Sequence, residues 1–325
     1  MPGFTTHYIF GMKAYNDMPF TPLKHTIAKY RWLYQLGLQG PDMFFYNIPI
    51  LRHRDYRNVG SYMHEHKVNA FFECCLRRIG TIRSRQQQEE AISYLAGFIN
   101  HYIADSICHP YVYGRIGYPV DAPTSMYHGM HAHLENELDA ILLWKYKKKK
   151  PSEFNQTATI CLNGQEIQFI SHFLASCINE TYYPITYRNN FQVTPAMVHR
   201  SIWALRFGCR TLSDKNGKKK FGIAQVESIF VNHPVASAKM VTDSVTDYRS
   251  SCNLNHEAWS NPWDPTRVST ASFVDLFHET LDKCSRVYAL LNSAVTDNMP
   301  LDKQDLSPLL AELGNESYHS GLPVN

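Results

Sequence analysis

The stretch GFINHYIADSICHPYV, residues 97–112, places His101, Asp105 and His109 four residues apart. Four residues make about one helical turn, so in a helix the three side chains share a face. A second stretch, GMHAHLENELDAILLWKY, sets His131 and Glu135 at the same interval. Side chains so spaced have Cβ atoms about 6 Å apart and can grip one ion from a rigid face. Imidazole together with carboxylate is a donor set that suits zinc. A polar stripe in water or a hydrogen-bonded core histidine would explain each residue alone. The stripe inside an apolar helix is harder to explain that way, because an unpaired buried carboxylate is costly. No C-x-x-C pair accompanies the histidines, which points away from a four-cysteine structural site and towards a catalytic one with open positions. Gly97, one turn before His101, leaves room either beside an ion or for a closely packed helix.

Helices must carry these stripes. SRQQQEEAISYLAGFINHYIADSICHP opens on Ser84 with Gln87 three residues on, a capping-box pattern. Its apolar residues recur at Ile92, Leu95, Phe98, Ile99, Tyr102, Ile103 and Ile107. Pro110 is expected to end it. The second helix should stop in the basic run Lys147–Lys150. A third starts at Thr194-Pro195 and turns Val198, Ile202, Leu205, Cys209 and Leu212 inward. A fourth covers about 269–292, with Phe273, Phe277, Leu281, Cys284, Tyr288 and Leu291 on one face. Others are expected near 20–37, 66–82, 166–180 and 301–313. CLNGQEI offers a small hairpin at Asn163-Gly164 instead. Loops are expected at about 38–60, 110–127, 144–158, 214–224 and 231–268. No sheet-forming alternation runs through the chain and no internal repeat is present, so the class is all-α. The expected organisation is one helical metal-binding domain over residues 1–313 and a flexible tail over 314–325.

With 44% hydrophobic and 19% charged residues, the chain can bury a sizeable core. Its net charge of +3 is too small to argue for nucleic acid or an anionic membrane. No apolar run reaches the roughly 20 residues that span a bilayer. The first residues lack the basic start and apolar core of a leader, so a cytoplasmic location is expected. The eight cysteines sit mostly among apolar residues and read as buried free thiols. His25, His53, His66, His172, His199, His278 and His319 have no partner pattern and receive no role.

Beyond these patterns, five segments occur in an order that resembles the zinc-dependent phospholipase C family, whose all-helical fold is shared with P1-type nucleases. They are THYIFG with His7, GPDMFFY with Asp42, GSYMH with His64, GFINHYIADSICHPY with His101, Asp105 and His109, and HAHLENELD with His131, Glu135 and Asp139. The later DYRSSCNLNHEAWSNPWDP also looks like a segment of that family. The resemblance implies two or three zinc ions. Asp42, His64, His101 and Asp105 would hold one, and His109, His131 and Glu135 a second. Asp105 would bridge to a third, shared with His7 and the chain's N-terminal amine and carbonyl. The secreted members begin on a tryptophan uncovered by processing, whereas Met1 and Pro2 stand here. They also place the histidine equivalent to His109 further along, after a proline. The implied activity is phosphoric-ester hydrolysis, in which water activated by the ions attacks phosphorus in line. Asp42 is the candidate to take the water's proton, with Asp55 behind it. Phe44, Phe45, Tyr46 and Tyr56 could line a substrate pocket. A phospholipid, a nucleotide or a small phosphate ester could each be the substrate. A nuclease or nucleotidase, and a non-catalytic zinc-stabilised helical module, are the alternatives.

Overall fold

The computed structural model describes residues 3–46, 59–122, 125–183, 192–230, 237–245 and 247–324. At its centre lies a helix buried on all sides. Every residue from Ser93 to Ser106 is inaccessible to water in this element, which spans Arg85–Arg115. Apart from the polar stripe of His101, Asp105 and His109, this stretch is largely apolar, which places it in a core rather than on a surface.

Counting in chain order, the helices before it are α1 (Phe4–Asp17), α2 (Pro22–Lys29), α3 (Arg31–Gly37), α4 (Val59–Glu65) and α5 (Val68–Thr81), which makes the central helix α6. After it come α7 (Ser125–Lys147), α8 (Gly164–Thr181), α9 (Pro195–Leu212), α10 (Lys218–Phe230), α11 (Tyr248–Ser251), α12 (Phe273–Thr296) and α13 (Ser307–Leu313). Helices α1, α2, α3, α5, α7, α8 and α12 all pack on α6. One side of the core is aromatic, with Phe71 and Phe72 against Phe98 and Tyr102. On the other, Phe10 stacks on Phe277 at 4.4 Å beside Tyr111 and Phe273.

The chain is thus all-α. Its two strands, β1 (Trp259–Asn261) and β2 (Asp264–Ser269), form a small antiparallel hairpin inside a region expected to be loop. No helix among the described residues is long and apolar enough to cross a membrane. All eight cysteines are free thiols; six are buried as expected, whereas Cys74 is half-buried and Cys161 exposed.

Several expected boundaries shift, each for a physical reason. Pro110 does not end α6. Proline removes one backbone hydrogen bond, but the turn beyond it is anchored by buried Tyr111 and Val112, and the Tyr111 hydroxyl donates to Ser251 O at 2.8 Å. Asn163-Gly164 makes no hairpin. Asn163 caps α8, accepting from Glu166 N while Glu166 accepts from Asn163 N. The loop expected at about 214–224 is cut short, because α10 starts at Lys218. Helix α1 was not expected at all. Asp55 and Tyr56 lie outside the described residues.

Gly97 serves packing. It meets Gly37 where α3 crosses α6, and a Cβ on Gly97 would sit 2.1 Å from Tyr34 O. Gly97→Ala would gain about 1 kcal/mol of helix propensity, but overpacking against backbone typically costs about 1–3 kcal/mol. The net expectation is a destabilised protein, read as a lower urea midpoint. An unchanged or higher midpoint would show that the crossing is not tight.

Candidate metal centre

Five separate segments converge on one end of this core. Helix α6 supplies His101, Asp105 and His109 on successive turns, each fully buried. A 3-10 turn over Gly40–Tyr46 supplies Asp42, and α4 supplies His64. His7 comes from α1, and His131 and Glu135 from α7. Gly40 is essential to this approach. It adopts φ +46°, and a Cβ there would lie 2.2 Å from the His101 ring.

The ligand atoms fall into two groups, each with its members within 4.8 Å of one another. Asp42, His64, His101 and Asp105 form the first; His109, His131 and Glu135 form the second. In the first, Asp105 Oδ2 is 3.1 Å from His101 Nε2, and Asp42 Oδ1 is 3.2 Å from His64 Nε2. In the second, Glu135 Oε1 lies 2.6 Å from His131 Nε2 and 3.5 Å from His109 Nε2. His7 stands beside the first group, its Nε2 3.1 Å from Asp105 Oδ1 and its ring stacked on His101 at 4.0 Å. The structure therefore brings together all eight residues singled out in the sequence. His128 and His133 stay outside the groups. The N-terminal amine invoked for a third ion belongs to residues outside those described.

The histidines are held in one tautomer. His64 Nδ1 lies 2.6 Å from Gly60 O, His101 Nδ1 3.1 Å from Leu38 O, and His109 Nδ1 2.7 Å from Tyr318 O. A carbonyl only accepts, so each Nδ1 carries a proton and each Nε2 is the atom turned towards the site. Those Nε2 atoms, Asp42 Oδ1 and both Asp105 oxygens are buried and lack a hydrogen-bond partner. Orphaned buried polar atoms are expensive. Six of them facing one another are explained by a cation among them.

Electrostatics agree. Burial opposes ionisation of Asp105, but His109, His101 and His7 outweigh it and hold the carboxyl well below its usual range. Burial pushes His7, His109 and His131 down, keeping them neutral and able to ligate. Burial also lowers His64, yet the Asp105 and Asp42 carboxylates prevail and raise it to about 9. Glu135 is pushed well above its usual value by burial. Loading an ion must therefore displace a proton from His64.

Two contributors escaped the sequence reading. The terminal segment, expected to be flexible, is packed into the site. Tyr318 N donates to His64 O at 2.9 Å, Asn261 Nδ2 donates to Ser320 O at 2.7 Å, and Tyr318 O orients His109. His319, given no role, stacks on His64 at 4.8 Å. Its contribution is tertiary and has no local signal. Asp139, one turn beyond Glu135, caps α1 from outside. It accepts from Thr5 N at 3.1 Å and Thr6 N at 2.7 Å, which fixes the helix that carries His7. A half-buried aromatic wall adjoins the second group: the Tyr113 ring is 4.5 Å from His131 and 4.9 Å from Trp263, with Tyr118 behind. Of the aromatics near Asp42, Phe44 is core, Tyr46 packs under Gly208, and Phe45 flanks His64. Clefts of about 540 Å³ lie elsewhere, one at Thr5, Phe154 and Arg210 and one at Gln86, Gln168 and His172; neither is lined by three metal-ligating side chains.

Comparison with known families gives one match. A family model described as zinc dependent phospholipase C matches residues 6–185, more than half of the chain and the part that holds every candidate ligand. No curated protein and no solved structure matches.

Two outcomes follow from this geometry. Deleting residues 315–325 removes the acceptor that orients His109, and loss of such a partner typically weakens metal binding about 10–100-fold. Chelator competition should show that drop; unchanged affinity would mean the terminal segment only covers the site. Asp139 is pushed up to about 6 by burial, against the cap hydrogen bonds. Between about pH 4 and 6 the folded protein keeps a proton that the unfolded chain releases, so the contribution of Asp139 to stability falls as pH rises, by about 3 kcal/mol, and is flat above. In metal-free protein, Asp139→Ala should thus cost less stability at pH 7 than at pH 4. A cost that grows with pH would contradict it.

Proposed function

The chain belongs to the zinc-dependent phospholipase C family, and from that membership we propose that it is a phosphodiesterase that hydrolyses the phosphate ester of a phospholipid. The observation that carries this reading is the pair of ligand groups, in which the Nε2 atoms of His64, His101 and His109, Asp42 Oδ1 and both Asp105 oxygens are buried without hydrogen-bond partners. Asp42, His64, His101 and Asp105 would hold one zinc ion, and His109, His131 and Glu135 another. His7 would join a third through its contact with Asp105. Bound there, zinc supplies positive charge to the phosphate oxygens and makes water acidic enough to deprotonate near neutral pH.

The chain's own groups do the rest. Leu38 O, Gly60 O and Tyr318 O hold three imidazoles in the tautomer that ligates. Asp42 is assigned as the acceptor of the proton from the attacking water, because it belongs to the first group but comes from a short turn rather than from α6. Tyr113, Tyr118 and Trp263 offer an apolar wall for the organic part of the ester. That same wall would stack a nucleobase, which keeps nucleotide hydrolysis as the second reading.

Elemental analysis of purified protein should find at least two zinc ions per chain. His101→Ala should lose zinc, and its activity should fall by about 10²–10³-fold or more. Parallel assays on phosphatidylcholine, single-stranded DNA and small diesters decide the substrate class. Full activity in His101→Ala would end the reading, and preference for DNA would shift it to the nuclease side.

A further inference from the structure

We propose that the outer face of α9, extended by the exposed side chains of α10, docks the protein on an anionic lipid surface. Trp203 and Phe207, one turn apart on α9, are 63% and 54% exposed and stack on each other at 5.3 Å. Large aromatics held in water at this exposure are unusual away from interaction sites. The cations Arg200, Arg206 and Arg210 flank them, and α9 contains no acidic residue. The run Lys218–Lys220 and exposed Phe221 continue the pattern into α10. Asp214, between the helices, is buried and accepts from Lys220 N at 2.7 Å, so it cancels little of this charge at the surface. The modest net charge of the whole chain conceals a strongly cationic local face.

Charge complementarity names an anionic partner, and the apolar groups name a lipid one. Val226 and Ile229 on α10 are 57% and 76% exposed. Aliphatic side chains stack no base but enter the acyl boundary of a membrane, as aromatics do between headgroups. The inner face of α9 rests on the Gly40–Tyr46 turn that carries Asp42, with Gly208 against the Tyr46 ring. One helix therefore joins the docking face to the metal centre. The value of docking rests on the phospholipid reading above, since it would bring the site to its substrate.

The test uses zinc-loaded full-length protein sedimented with vesicles of phosphatidylcholine alone or with a third phosphatidylserine. Wild type should bind the anionic vesicles at least about tenfold better. The double variant Trp203→Ser with Phe207→Ser should bind them about tenfold less. Arg200→Gln, Arg206→Gln and Arg210→Gln should each cost about fivefold and together abolish the preference. All should hydrolyse a water-soluble diester at the wild-type rate. Variants that bind vesicles like wild type, or a wild type that ignores vesicles while these variants lose single-stranded DNA binding, would overturn the proposal. A chain that docks but cleaves no diester would leave the docking face standing and remove the hydrolase reading.

Discussion

The carboxylate of Asp105 is the point on which the site turns. It lies at zero exposure in a helix buried on every side, with neither oxygen hydrogen bonded. An ionised carboxylate in such a place survives only if positive charge surrounds it. Imidazoles from α1, α4 and α6 ring it, but burial favours the uncharged form of two of them, His7 and His109. The arrangement is therefore incomplete as a set of protein groups and complete as a set of ligands. The rest of the architecture serves it: Gly37 and Gly97 let α3 close on α6, Gly40 lets the Asp42 turn lie against His101, and Asp139 holds the start of α1 so that His7 reaches in.

What the sequence made legible follows from where the information sits. The ligands on α6 and α7 repeat within one helix, so spacing alone reveals them. His7, Asp42 and His64 each come from a different element and carry no internal period; only the ordered resemblance to a family pointed to them. Helix α1 has no side-chain cap of its own, because its N-terminal amides are satisfied by Asp139 more than 130 residues away. A local reading has no start signal to find there. The terminal segment illustrates the same limit. Tyr318 contributes through a backbone carbonyl, which every residue has, so nothing in its identity announces the role. Pro110 failed as a stop for the converse reason: a local preference of a few kcal/mol yields to the packing of Tyr111 and Val112.

The second layer of the site is mostly uncharged. Backbone carbonyls, rather than further carboxylates, accept from His64, His101 and His109. A carboxylate in that place would make the ligands more basic and add negative charge. A carbonyl fixes the ring without doing so. It also ties the tautomer to the fold, since Leu38, Gly60 and Tyr318 are positioned by the backbone of three different segments.

Charge then favours an anionic substrate. With Asp42, Asp105 and Glu135 ionised, the protein brings three negative charges to the two groups. Two divalent ions would supply four positive ones, so the loaded site would carry a net charge of about +1 in a water-poor environment, where charge acts strongly. A third ion beside His7 would raise it further. A phosphodiester is a monoanion and matches that excess, while the developing charge on phosphorus oxygens during attack matches it better still. Had the second layer been carboxylates, the excess would have been cancelled before any substrate arrived. On the phosphodiesterase reading, the neutral carbonyls behind the histidines are therefore a condition for the chemistry, and not only a scaffold for metal.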